Sequence, residues 1–129
     1  MRNAGGSCDD STVSYLFQIE GETVWWPALA VGTAYVGAIQ GLALGLRIDS
    51  GLDQLGGEMV RIEARQFATF VQELIDRVDS QTASAALHDL MVAVIPPAAV
   101  MLERVGRSPR MSAQIWADKL DELRAEMPA

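Results

Sequence analysis

The residues able to do chemistry are few and widely spaced. His88 is the only histidine and stands beside Asp89, a base and an acid that in the right geometry would relay a proton. Neighbouring positions on a helix point about 100° apart, however, so the pair makes a poor dyad and a lone boundary histidine is the expectation. Cys8, the only cysteine, sits among small polar residues with no base beside it, which argues against a Cys-His nucleophile and excludes an intrachain disulfide. One cysteine and one histidine also fall short of the several N and S ligands that zinc takes. Paired carboxylates, Glu20 with Glu22 and Asp49 with Asp53, fall in turn-like stretches where acids are normally solvated, and sequence spacing alone gives no glycosidase geometry. The glycines between 32 and 45 lack the Lys-Ser/Thr that a phosphate loop requires. These residues predict a non-catalytic protein that uses no metal and no cofactor.

Binding chemistry is better supplied. Trp25 and Trp26 are consecutive on a predicted strand, so one faces the core and the other turns away. The outward ring either packs under the loop at 48–57 or anchors a partner, since tryptophan is enriched at interface hot spots. Glu20, Glu22, Asp49, Asp53 and Glu58 occupy the flanking turns, and an apolar centre ringed by negative charge suits a basic protein surface. A net charge of −7 over 129 residues disfavours contact with a phosphate backbone, which leaves DNA and RNA as poor ligands. The resulting expectation is a cytoplasmic immunity-type or adaptor protein that covers a cationic partner such as a toxin.

The elements that must position these residues begin with a hairpin. Residues 15–19 and 23–26 are β-branched and aromatic around a turn-like Glu20-Gly21-Glu22. Pro27 then ends the strand and suits the first turn of a helix. Residues 24–46 carry no charged side chain and are long enough to cross a bilayer, with Gly37, Gly41 and Gly45 forming the GxxxGxxxG pattern of close helix packing. Two readings follow for this helix: a membrane span that oligomerises through its glycines, or the buried centre of a soluble domain. Downstream amphipathic segments favour the second, because their apolar faces need a shared core. Phe67, Phe70, Val71, Leu74 and Val78 define a helix over 64–79. Ser80 or Thr82 is placed to cap a helix that Pro96-Pro97 must end or kink, and Ser108-Pro109 reads as the start of the last helix. The small-residue track also leaves a structural homodimer open.

At 129 residues, half of them hydrophobic, the chain is sized for one folded domain. Residues 1–12 are small and polar and read as a flexible lead before a domain at 13–129. Nine arginines against one lysine, with abundant alanine, resemble the bias of a GC-rich genome, in which Val13 could be a GTG start; this hypothesis fails if N-terminal mass analysis finds Met1. Tyr15 and Phe17, Trp25 with Pro27, Gly45-Leu46 with Ser50-Gly51-Leu52, and Phe67 with Phe70-Val71 resemble the pattern of a small uncharacterised actinobacterial domain family, over roughly 14–105. The resemblance implies a soluble domain and brings no established activity with it. Together these readings predict a mainly α (α+β) fold: four to five helices packed around a buried glycine-rich helix, with a short N-terminal β-hairpin.

Overall fold

The computed structural model describes residues 14–81 and 83–129; the 1–12 lead, Cys8, the alternative start at Val13 and Thr82 lie outside the described residues. The predicted hairpin is present as β1 (Leu16–Ile19) and β2 (Glu22–Trp25), joined by a two-residue turn. Glu20 and Gly21 both hold positive φ, 53° and 80°, the geometry that matches the twist of paired strands. Pro27 lies just before the helix instead of in its first turn: its carbonyl accepts the Tyr15 N–H at 2.9 Å, and α1 starts at Leu29. After α1 (Leu29–Leu46), the stretch that reads as loop holds a three-residue strand, β3 (Leu52–Gln54), and then β4 (Met59–Ile62). The sheet order is β2-β1-β4-β3, with β1 and β4 parallel and both outer pairs antiparallel.

Three further helices complete the described residues: α2 (Ala64–Ser80), α3 (Ala85–Glu103) and α4 (Ala113–Glu126). The fold is therefore mainly α with a small sheet, as the sequence predicts. Glu63 caps α2 by accepting the N–H groups of Arg65 and Gln66, and the predicted apolar stripe from Phe67 to Val78 is buried. Caps on the other two helices differ from the sequence reading. Ser80 is the last residue of α2, and Ser84 caps α3 by accepting the Leu87 N–H. Ser108 does not start α4, because the Gln72 amide grips the backbone of Arg110, donating to its O at 3.0 Å and accepting from its N at 2.9 Å. That clamp holds the chain against α2 until Ser112, which becomes the N-cap.

The buried centre is α3 and not the glycine-rich α1. Met91, Ile95, Ala98, Ala99, Met101 and Leu102 of α3 are all inaccessible, and Pro96-Pro97 lie within the helix without ending it. Only one side of α1 is buried, through Gly32, Tyr35, Val36, Ile39 and Leu42. Its Gly37, Gly41 and Gly45 are exposed, and a methyl at any of them would meet nothing within 4 Å among the described residues. The physical reason is area: a row of glycines has almost no apolar surface to hide, so covering it gains little. The glycine that packing does require is Gly32, where an added Cβ would fall 2.2 Å from the Tyr15 Cβ. Tyr15, Phe17, Trp25 and Tyr35 form an aromatic cluster there, with ring centroids 5.0–6.0 Å apart. From that cluster Tyr35 donates its hydroxyl to the Val94 carbonyl of α3 at 2.7 Å.

The free edge of β2 is closed by the C-terminal segment. Trp26 N–H donates to Pro128 O at 2.7 Å, and the Arg104 guanidinium donates to both Val24 O (2.7 Å) and Met127 O (2.8 Å). An edge strand so occupied cannot recruit another chain through those groups.

Candidate functional site

Alternation along the strands sends Phe17, Ile19, Val60 and Ile62 into the core, which leaves their neighbours on the outer face of the sheet. Strand register sorts those neighbours into two rows. Thr23, Gln18, Arg61 and Asp53 lie directly opposite one another across all four strands and make a polar row. One step along, Leu16 lies opposite Met59, and Leu55 donates its N–H to Met59 O at 3.1 Å. Pairing of Phe17 with Trp25 sets Trp26 beside Leu16, so the second row reads Trp26, Leu16, Met59, Leu55. Its two outer members are large exposed hydrophobics: Trp26 is 53% accessible and Leu55 41%.

Trp25 and Trp26 divide as the alternation predicts, Trp25 buried in the aromatic cluster and Trp26 outside. The loop at 48–57 does not cover Trp26, because that loop carries β3 at the opposite edge of the sheet, three strands away or roughly 14 Å. The acidic ring is likewise not assembled around it. Glu22 stands four residues back along β2, at the far end of the sheet, and Glu20 in the same turn pairs with Arg107 at 3.1 Å. Asp49 folds onto its own loop, its carboxylate accepting the Gly51 N–H. Only Glu58 shares the Trp26 end, since its carbonyl accepts the Leu16 N–H, and Asp53 borders the same face from the polar row. Glu20 and Glu22 are separated from Glu58 because the β1–β2 hairpin turn and the start of β4, parallel to β1, sit at opposite ends of the sheet.

His88 and Asp89 approach more closely than helical geometry suggests, Nδ1 to Oδ1 at 3.6 Å, which is too long for a hydrogen bond. Asp89 is 85% exposed, so the contact is made in water. Among the described residues no group of three or more His, Cys, Asp or Glu is placed to hold a metal ion.

The helices enclose a second feature that sequence reading does not flag. Between the end of α2, the Val92–Pro96 face of α3 and the first half of α4 lies an open cleft of about 790 Å3. Trp116 of α4 forms part of its wall, is 3% exposed, and leaves its indole N–H without a partner among the described residues. An orphaned buried donor costs roughly 1–3 kcal/mol, so its survival calls for a reason. The helical spacing of Trp116, Leu120 and Leu123 marks it as core, which it is; an unmet N–H has no signature in a sequence. On the far side of α4, Arg124 binds Glu103 in a two-pronged ion pair that holds the Glu103 carboxyl below its ordinary range.

A model of a family of unknown function, DUF6086, matches residues 13–129. No curated protein and no solved structure matches the chain.

Proposed function

The chain belongs to the DUF6086 family of unknown function, and within that family we propose that it is a cytoplasmic, non-catalytic binding protein whose sheet face docks a basic protein partner. The observation that carries this reading is the row Trp26, Leu16, Met59, Leu55, an apolar strip on the outer sheet face bordered by Asp53 and Glu58. Large aromatic and aliphatic anchors beside acids offer burial to a partner's apolar side chains and ion pairs to its Lys or Arg. A net charge of −7 speeds encounter with such a partner, and an immunity-type or adaptor role is the concrete form of it.

The test uses exposed positions, so that folding is left intact. Wild-type protein should retain a basic binder in pull-downs at low salt and lose it progressively as salt rises. Trp26→Ser with Leu55→Ser should weaken that complex by roughly 30-fold or more, the size of one hot spot, while circular dichroism stays unchanged. A binder held equally well by the double variant would remove the sheet face from consideration.

A second reading, self-association through α1, is favoured by a different observation. The solvent side of this uncharged helix exposes Val31 (51%), Leu44 (82%) and the Gly37, Gly41, Gly45 track. Gly41→Leu has room in the monomer, so light scattering that shifts from dimer to monomer in this variant would support the homodimer, and a monomeric wild type would end it. Release of the wild type only by detergent would instead favour the membrane-associated form of the same contact.

A further inference from the structure

We propose that the partner of the sheet face presents an extended, strand-forming segment bearing Lys or Arg, which pairs with β3 and adds a fifth strand to the sheet. The inference rests on the sheet-face reading and names the form that the basic partner takes there. The two edges of the sheet differ. The β2 edge is closed by the C-terminal segment, through Trp26 N–H to Pro128 O and through the Arg104 guanidinium. No backbone group of another segment closes the β3 edge among the described residues, and the register fixes which of its groups point outward. Glu63 N–H donates to Gly51 O at 2.8 Å and Leu55 N–H to Met59 O at 3.1 Å, so Gly51, Asp53 and Leu55 turn their backbone groups toward β4. Leu52 and Gln54, between them, turn theirs away. Ser50 Oγ accepts the Leu52 N–H at 3.3 Å, which leaves Leu52 O and both backbone groups of Gln54 aimed outward. The Gln54 side chain is drawn under the sheet, where its amide donates to the Tyr15 hydroxyl at 3.3 Å, and so leaves them open.

Charge and register then set what the added strand carries. From Ile48 to Val60 the chain holds Asp49, Asp53 and Glu58 and no basic residue. Asp53 stands on the outer sheet face at this edge; Arg61 lies opposite it on β4, yet no ion pair joins the two. A strand bonded to Leu52 and Gln54 places one residue directly opposite Asp53, in the type of pair where side chains approach most closely, and Lys or Arg is favoured there. Two residues along, the position opposite the exposed Leu55 continues the apolar row, and a β-branched side chain suits it. Main-chain bonds would supply the affinity, and a base alternating with an apolar residue on one face would supply the specificity. The same geometry disfavours a second copy of the chain, because pairing β3 with β3 along its whole length sets one Asp53 against the other.

The experiment titrates 15N-labelled full-length protein with the peptide acetyl-TVTKTVT-amide and with its TVTETVT counterpart. Two backbone N-methylated forms of the lysine peptide are added, one methylated at the threonines beside the lysine, whose N–H groups face β3, the other at the valines, whose N–H groups face away. Saturable downfield movement of the Gln54 amide signal with the lysine peptide is the expected result, with weaker binding of the glutamate peptide. Methylation at the threonines should abolish the effect and methylation at the valines should not. Asp53→Lys should weaken the lysine peptide by roughly fivefold and reverse the preference for lysine over glutamate. Gln54→Pro removes an outward N–H and no bond to β4, so it should abolish binding; the Asp53 variant covers the case in which the proline variant does not fold. The proposal is overturned if the Gln54 amide does not move, if the two methylated peptides bind alike, or if the glutamate peptide binds as well as the lysine peptide. It is equally overturned if that signal moves with protein concentration alone, which would make a second copy the occupant. Failure of the sheet-face reading is distinct: a basic binder weakened by Trp26→Ser with Leu55→Ser but not by Gln54→Pro would keep that face and remove strand addition, whereas one untouched by either variant would remove both.

Discussion

Helices α1 and α3 are alike in sequence and opposite in fate. Each is long and apolar enough to cross a membrane, yet 22% of one is buried against 50% of the other. Side-chain volume separates them. In α3 the buried residues run from Met91 to Leu102 around most of the helix, and α1, α2 and α4 pack against it; in α1 one bulky stripe from Tyr35 to Leu42 meets the core, and Gly37, Gly41 and Gly45 share the other side with small residues and the exposed Val31 and Leu44. Mean hydropathy averages over a helix regardless of which side each residue faces and how large it is, but burial rewards area, and a glycine offers none. An uncharged helix is therefore not the same thing as a helix with something to bury.

Truncation should break the comparison most visibly. Ile95→Ala in α3 removes a fully buried side chain and should cost about 2–5 kcal/mol in urea denaturation, whereas Leu44→Ala in α1, 82% exposed, should change stability by less than about 0.5 kcal/mol. Equal losses would mean that α1 is covered in solution, by a second copy or a lipid surface. Next in size is Gly32→Ala, which drives a methyl to 2.2 Å from Tyr15 and should destabilise by about 1–3 kcal/mol despite the better helix propensity of alanine.

That contrast marks what the sequence makes legible. Periodicity places α2 closely, because Phe67 to Val78 alternate with charge on the opposite face, and the aromatic and β-branched runs place the hairpin. The start of α4 is hidden, because Ser108-Pro109 is a sound local cap that a remote side chain, Gln72, overrules. The importance of Gly32 is hidden for the same reason: its neighbour Tyr15 lies just before β1, seventeen residues back, while the regular spacing of Gly37, Gly41 and Gly45 attracts notice and meets nothing among the described residues. At the candidate site, alternation separates Trp25 from Trp26, but strand register, which no single strand encodes, decides which acids reach Trp26. Short-range chemistry is readable; anything set by a partner dozens of residues away is not.

The link between the two helices offers a smaller and pH-dependent test. Burial pushes the Tyr35 phenol well above the ordinary tyrosine range, and a hydrogen bond from the Ala98 backbone offsets this only in part. The folded state thus keeps its proton where the unfolded chain, titrating near about 10, has lost it, so stability should be intact below that pH and fall above it by up to about 1.4 kcal/mol per unit. Tyr35→Phe should cost about 1 kcal/mol at neutral pH through the lost bond to Val94 O, and then flatten the alkaline decline, so that the two denaturation curves converge as pH rises. Parallel curves would show that the phenol reaches water.

The smallest effects are expected where the glycine track faces solvent, and their sign is the sharpest discriminator. Alanine at Gly37, Gly41 or Gly45 meets no atom within 4 Å among the described residues and removes the backbone entropy that glycine loses in a helix, so each change should stabilise the monomer by about 0.5–1 kcal/mol. Gly32 and these three glycines occupy one helix and one residue type, yet the same substitution should move stability in opposite directions. If alanine at Gly41 destabilises instead, and does so more strongly at high protein concentration, the track is a contact between copies of the chain, and the exposed side of α1 is an interface that the isolated fold leaves open.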